Sequence, residues 1–452
     1  MDADELPPGT SGEVTGGTAG ETAGGAAGTT AGGTATEGAA GPTDTGTTGG
    51  AAATTGGGEA GTTGGGEAAE APDEGAARRY RGQVWGGAAR SLWRPSVDGT
   101  VGGRLRALAD WTDAADLADA ALDVYGDGLV EVLEERIAAE LGMPAAVFFP
   151  TGTMAQQVAL RCWAGRTGSP VVALHPLAHP EVHEGGALEA VSGLRTVHPT
   201  DAPRLPTADE VRDHPEPFGT LMLELPLRDA GFVLPTWEEL TATVDAARER
   251  DAVVHFDGAR LWECPTHFGR PLAEIAGLAD SVYVSFYKSL DGMSGAALAG
   301  PEELVAEARV WLHRYGGRVF QQYPVALAAL RGLDTELPRL PSYVAHARVV
   351  AGALREALAE EGGPGWFRIH PEVPHTHQFQ VWLPYEPDVL TAAALALTER
   401  TGTCLFRRWS APGAGGPPGT AFTEVTVAAA GTEWTAEDVR KAVRDFLALV
   451  AR

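Results

Sequence analysis

From Ala145 onward the chain alternates short, almost wholly apolar runs with longer stretches of helical periodicity. Ala145-Ala146-Val147-Phe148-Phe149, Val171-Val172-Ala173-Leu174, Thr220-Leu221-Met222-Leu223, Val253-Val254-His255-Phe256-Asp257 and Ser281-Val282-Tyr283-Val284-Ser285-Phe286-Tyr287 are apolar at most positions rather than at every second one. Such runs are buried on both faces, as strands of a parallel sheet are when helices cover both sides. The rhythm therefore predicts a wound, mainly parallel α/β sheet. Helices are expected at 154–163, at 237–250 behind Thr236 as N-cap, and over 301–333, with a further strand at 296–299. After Pro338 the rhythm changes to a smaller α+β pattern. It has helices at 342–361, 389–400 and 435–450, and strands at 367–369, 378–383, 404–407 and 424–428. The expected division is a large domain over 78–335 and a small one over 336–452, since this much chain exceeds one comfortable core.

Residues 1–77 are a different object. Gly, Ala and Thr dominate, no aromatic residue occurs, and no Lys or Arg precedes Arg78. A segment with so little apolar surface does not offset its ordering entropy, so a disordered acidic tail is expected, without the basic start and apolar core of a signal peptide. Its twelve acids account for much of the formal charge of −26 and leave −14 for the body. No basic stripe is present, which argues against nucleic acid, and no apolar run approaches the ~20 residues of a membrane span. The three scattered cysteines, Cys162, Cys264 and Cys404, suit reduced core thiols in a cytoplasm and neither a disulfide framework nor a metal site.

Within that frame lysine is the informative residue. Only Lys288 and Lys441 occur, against thirty-two arginines. A guanidinium stays protonated, whereas an ε-amine loses its proton when desolvated and attacks an aldehyde. Lys288 follows one buried strand and lies thirty-one residues after Asp257, which ends another. A carboxylate and a lone lysine delivered by consecutive buried strands point to a pyridoxal phosphate site. The plainer reading of Lys288 is a snorkelling strand-end charge, and Lys441, beside Arg440 and Arg444, reads as solvated helix surface. Gly152 and Thr153, opening a helix after a strand, would cradle a phosphate, although Thr-Gly-Thr is also an ordinary capping turn. Asp257 would hold a pyridinium nitrogen and Arg260 a substrate carboxylate; a structural Asp–Arg pair is the alternative. His179 would stack on the ring and handle a hydroxyl proton, or be a surface or cap histidine.

Taken in order, Tyr125-Gly126-Asp127, Leu133-Glu134-Glu135-Arg136, Gly152-Thr153-Met154-Ala155, Asp257-Gly258-Ala259-Arg260-Leu261, Ala279-Asp280-Ser281-Val282 and Lys288-Ser289-Leu290 resemble the threonine aldolase and β-eliminating lyase group of fold-type-I pyridoxal phosphate enzymes. The resemblance runs from about Asp123 to Leu333 and continues loosely to the C-terminus. It implies Lys288 as the Schiff-base lysine, Asp257 as the pyridine-nitrogen partner and Arg260 as the carboxylate arginine. It further implies Gly152 and Thr153 at the phosphate, His179 on the ring, and a homo-oligomer, dimeric or tetrameric.

The chain departs from that pattern mainly on the substrate side. The N-terminal Arg-Ser-Asp-Thr motif has only Ala89-Arg90-Ser91-Leu92 as a counterpart, and Glu-Asn-Thr-His reads Glu224-Leu225-Pro226-Leu227. Tyr287 replaces the serine before the lysine, with Ser285 as a compensating hydroxyl, and Thr423-Glu424-Val425-Thr426 stands where a second carboxylate arginine is expected. The favoured expectation is retro-aldol cleavage of a β-hydroxy-α-amino acid to glycine and an aldehyde. The alternatives are β-elimination from a β-substituted amino acid and a non-catalytic protein that keeps the fold for binding.

Overall fold

The computed structural model describes residues 74–95, 99–360, 362–413 and 417–450. The expected tail therefore lies outside the described residues except at its end, where Glu74–Ala77 form the first turn of the helix Glu74–Gly86. Seven strands build the main sheet: β1 Ala145–Phe149, β2 Val171–Ala173, β3 Arg195–Val197, β4 Thr220–Glu224, β5 Val253–Gly258, β6 Ser281–Ser285 and β7 Ala296–Gly300. Their order is β1-β7-β6-β5-β4-β2-β3. All neighbours run parallel except β7, which is antiparallel to both β1 and β6. The mixed, mostly parallel wound sheet expected from the apolar runs is thus present, and β1, β4, β6 and β7 are buried at nearly every position.

Three departures have local causes. Strand β3 gave no apolar signal, because it is three residues long with an exposed arginine at its start. The helix expected over 301–333 is two helices, Glu302–Arg314 and Tyr323–Thr335. Gly316 adopts φ 75° just past the first of these and ends it, a backbone state that glycine enters cheaply. The second begins where the fully buried Asp123 carboxylate accepts from Gln322 N at 2.8 Å and Tyr323 N at 2.7 Å. That cap comes from a residue about two hundred positions earlier, beyond the reach of local pattern. The last third has a three-stranded antiparallel sheet, β8 Arg368–His370, β9 Gln378–Leu383 and β10 Ala421–Thr426, in the order β10-β9-β8. Helices Leu340–Leu358, Pro387–Thr401 and Ala436–Val450 accompany it around a second apolar cluster that includes Phe406, Trp409 and Phe446. Arg90–Ser91 pairs with Thr403–Cys404, so Leu92 joins this second cluster rather than the first.

Lys441 lies on the last helix, 70% exposed and paired with Asp445 at 2.7 Å. The three cysteines are free and buried, and burial pushes the Cys162 thiol up to about 12. Among the described residues no helix is long and apolar enough to cross a membrane, and no cluster of metal-ligating side chains occurs.

Thr236 caps the helix Trp237–Arg248 as expected: its hydroxyl accepts from Glu239 N at 3.2 Å while Glu239 Oε2 accepts from Thr236 N at 2.8 Å. Thr236→Ala is predicted to destabilise the chain by about 1 kcal/mol, seen as a lower urea midpoint with unchanged slope. An unchanged midpoint would show that tertiary packing alone holds that helix.

Candidate functional site

The sheet's register brings the site together. Glu224, Asp257 and Tyr283 are cross-strand partners in the parallel trio β4-β5-β6. They therefore form one row on one face, close to the C-terminal strand ends where wound sheets bind ligands. The helix Gly152–Thr167 starts over that row, and a Cβ added at Gly152 would overlap the Tyr283 hydroxyl. Glycine is required there by space. Thr151 caps this helix by accepting from Met154 N at 3.2 Å, which leaves the first-turn amides of Gly152 and Thr153 as donors. The capping turn and the anion cradle are compatible: Thr151 fills the first role, and its neighbours are free for the second.

The electrostatics turn on desolvation. Asp257 is 1% exposed, and burial raises its carboxyl above the ordinary range while the Lys288 and His179 charges oppose the rise. Glu224, also buried, is pushed up to about 7 by burial first and by Asp257 second. Lys288 sits three residues past the end of β6, and burial, then the Arg260 guanidinium, lower its amine to about 8 against the pull of Asp257 and Glu224. An amine so placed is deprotonated in appreciable fraction near neutral pH, as an amine nucleophile requires. The snorkelling reading of Lys288 loses ground, because a snorkelling amine stays in water and keeps its ordinary pKa.

Arg260 follows Asp257 by three residues, with its guanidinium 5.4 Å from the ring centre of the fully buried Phe232. Phe232 holds φ 59°, a costly state for a bulky residue, directly beside this guanidinium. Arg260 Nε and the fully buried Ser285 Oγ have no hydrogen-bond partner. His179 begins a short helix beyond β2. Its amide donates to Glu224 Oε2 at 2.8 Å, and its Nδ1 lies 3.1 Å from Glu184 Oε1. Glu184 thereby orients the ring and fixes which nitrogen faces the site. Lys288, Asp257, Arg260, His179, Gly152 and Thr153 are therefore gathered at one end of the sheet. The Arg90-Ser91 segment is not: Arg90 pairs with Asp438 at 3.0 Å and stacks on Trp434.

Sequence reasoning missed four contributors. Glu224 reads from sequence only as the remainder of a departed motif, and Arg228, four residues on, carries no signal there. Yet the Glu224 carboxylate accepts from both the His179 and Arg228 amides, and Arg228 pairs with Glu424 on β10 at 2.9 Å. The other two are Glu263 and His377, buried and 3.1 Å apart. Glu263 Oε1 also accepts from Ser289 Oγ, next to Lys288 in the chain, while its Oε2 has no partner. His377 Nδ1 is 2.8 Å from Val427 O. The pair thus links the lysine loop to the small sheet. Only the buried setting of Glu263, two residues into the turn after Ala259-Arg260-Leu261, could have flagged it, and His377 lies more than one hundred positions away.

Against 452 residues, the β-eliminating lyase family model matches 105–361. The low-specificity L-threonine aldolase of Escherichia coli K12 is 32% identical over 263 residues, covering 56% of this chain and 77% of the aldolase. A structure assigned as an aromatic amino acid β-eliminating lyase/threonine aldolase from an Exiguobacterium species superposes with TM-score 0.73 at 33% identity, covering 82% of this chain and 99% of that one. One assigned as an L-allo-threonine aldolase from Listeria monocytogenes gives TM-score 0.72 at 32% identity with the same coverage. Serine palmitoyltransferase from S. paucimobilis, 18% identical with TM-score 0.58, shares the fold alone, covering 79% of this chain and 86% of its own. The architecture is that of the fold-type-I enzymes. The chain belongs to the β-eliminating lyase family.

The Glu263–His377 pair gives a pH prediction. Burial is the largest single influence and would raise Glu263 and lower His377, but the partner's charge and hydrogen bond, joined by Arg260 and Ser289 at the carboxyl and by Val427 O at the imidazole, together outweigh it: the carboxyl is held below and the imidazole above its ordinary range. A raised imidazole contributes stability that is complete below its unfolded pKa and lost as pH rises through the folded value; a lowered carboxyl loses its contribution as pH falls through its own. The chain is therefore expected to lose stability on the alkaline side of 6.5, the ordinary imidazole value. Glu263→Gln is expected to remove that alkaline loss, read as urea midpoints between about pH 6 and 9. Identical pH slopes in the two proteins would contradict the pairing.

Proposed function

We propose that this chain is a pyridoxal phosphate-dependent carbon–carbon lyase that cleaves a β-hydroxy-α-amino acid to glycine and an aldehyde. The carrying observation is the partly buried Lys288 amine, lowered to about 8, near the buried Asp257 carboxylate at the strand ends. The residues fit the cofactor. Asp257 is a desolvated carboxylate in need of a cation, which a pyridinium N–H supplies, and the close approach at Gly152 keeps the backbone open to a phosphate beside the Thr153 amide. Lys288 would hold the aldehyde carbon covalently, and His179 would cover the ring. When bound, the cofactor supplies an electron sink for the pair released at Cα.

The chain's own residues do the rest. Arg260 receives the α-carboxylate through its fork, in a setting where Arg260 Nε is buried without a partner. Its neighbour Phe232 walls that side against water. His179, oriented by Glu184, accepts the β-hydroxyl proton as the Cα–Cβ bond breaks and the hydroxyl carbon becomes the carbonyl of the aldehyde. The Lys288 amine, close to neutral pH in its proton affinity, returns a proton to Cα and so completes glycine. The aldolase names of the relatives support this choice of reaction.

Other parts of the reading are proposals of the same kind. The chain works as a homo-oligomer, dimeric or tetrameric. Support comes from the exposed Tyr125–Phe320 ring pair, with centres 5.5 Å apart, beside a surface cavity of 610 Å³. Its buried free thiols suit a cytoplasmic setting. The separate apolar clusters support a large domain to about residue 335 and a small one after it, with Leu92 lent to the smaller and Leu340 and Tyr343 to the larger.

Product analysis tests the reaction. Incubation with threonine and with phenylserine is expected to give glycine and the corresponding aldehyde, and Lys288→Ala is expected to lower kcat by roughly 10³-fold or more. A keto acid and ammonia would instead assign β-elimination. Turnover unchanged in Lys288→Ala, or no turnover of any amino acid by the cofactor-loaded chain, would overturn the lyase reading.

A further inference from the structure

Beyond His179 lies a cavity of 410 Å³ that the proposed chemistry does not use. Its lining includes Trp85, Arg228, Arg407, Arg408, Phe422 and Glu424. His183, whose ring centre is 5.2 Å from that of His179, also faces it. Two short links tie the cavity's lining to the site. The Arg228 amide donates to the same Glu224 carboxylate that holds the His179 amide, and the Arg228 charge acts on Lys288. It therefore adjoins the His179 end of the site.

Its polar groups do not balance. The two lining acids are already engaged: Glu424 pairs with Arg228 at 2.9 Å, and Asp229 with His183 at 2.7 Å. Among the described residues neither Arg407 nor Arg408 has an ion-pair partner. The Arg407 guanidinium is stacked 4.6 Å over Trp93, and burial lowers its proton affinity against the pull of Cys404 and of Glu424, a carboxylate that Arg228 already holds. Trp85 Nε1 and Arg228 Nε are buried donors with no acceptor. Every unmet group is a donor, so the missing partner is an acceptor and an anion. One wall is flat and fixed, since Phe422 stacks on Trp382 with ring centres 4.9 Å apart. The volume is far more than a methyl group fills, and threonine would leave the cavity and its cations unanswered.

We infer that this cavity is the specificity pocket for the substrate's β-substituent, and that it selects β-hydroxy-α-amino acids whose side chain ends in an anionic group. The inference rests on the lyase reading for its placement of the substrate. Arg407 is the anchor, stiffened by Trp93. Arg228 is a positioning residue that ties the loop after β4 to β10 and sets the pocket's depth through Glu424.

Threonine, phenylserine and 4-carboxyphenylserine are the probes. The cofactor-loaded chain is expected to favour 4-carboxyphenylserine over phenylserine by about tenfold or more in kcat/KM, carried by KM, as one charge-assisted bidentate contact allows. Arg407→Met is expected to erase that ratio with little change for phenylserine or threonine, and Arg407→Lys to keep part of it. Equal cleavage of the charged and neutral substrates overturns the pocket while leaving the lyase reading intact. Equal losses for all three substrates in Arg407→Met would assign Arg407 to the α-carboxylate and also overturn it. Calorimetric titration of cofactor-loaded Lys288→Ala with the two phenylserines reads the pocket without turnover. Binding about tenfold tighter for the carboxylated one, abolished by Arg407→Met, supports the inference even if no substrate is cleaved; equal affinities contradict it.

Discussion

Burying ionised groups at the end of an apolar sheet is expensive, and the organisation of this chain follows from how that cost is offset. Asp257 and Glu224 stand side by side on adjacent parallel strands, both out of water. Burial first, and the Asp257 charge second, push Glu224 up to about 7. Burial raises Asp257 as well, and the Lys288 charge is the largest influence opposing that rise. The same burial lowers Lys288 to about 8. A lysine left in water would have an ordinary pKa and no nucleophilic use, whereas one buried beside a carboxylate remains chargeable yet reactive. The sheet exists to hold that compromise in register.

The scaffold was legible because apolar burial writes itself locally. Continuous apolar runs located the long strands of the main sheet, and the Thr236-to-Glu239 spacing located a helix start that the structure shows with both capping bonds made. What local pattern could not carry was pairing at long range. Asp123 caps a helix two hundred residues away, and Glu263 meets His377 across more than one hundred. Neither partner has a sequence neighbourhood that announces the other. The short edge strand Arg195–Val197 escaped for the opposite reason: it buries too little to leave a period.

The site divides in the same way. Residues proposed to hold the cofactor follow strands or start helices, so strand-end logic points directly to Asp257, Lys288, Gly152 and Thr153. His179 and Arg260 needed the family resemblance to be preferred over their ordinary roles, and the structure gathers both at the same sheet edge. The substrate side was read from missing motif residues and looked merely eroded. The inferred pocket would rebuild it from other residues. Arg228 enters where a polar motif was lost, Glu424 on β10 answers it, and Arg407 and Arg408 bring charge from the small-sheet side. Family membership with a replaced substrate side points to retained chemistry on a different side chain.

The central claim is that Lys288 is the amine that carries the cofactor, and borohydride reduction of the pyridoxal phosphate-loaded chain followed by peptide mapping tests it most directly. Reduction fixes the lysine–cofactor bond, and only two lysines are available to carry it. The account predicts the added mass on the peptide containing Lys288 and none on the peptide containing the exposed Lys441. A label on Lys441, or a chain that takes up no label at saturating cofactor, would contradict it.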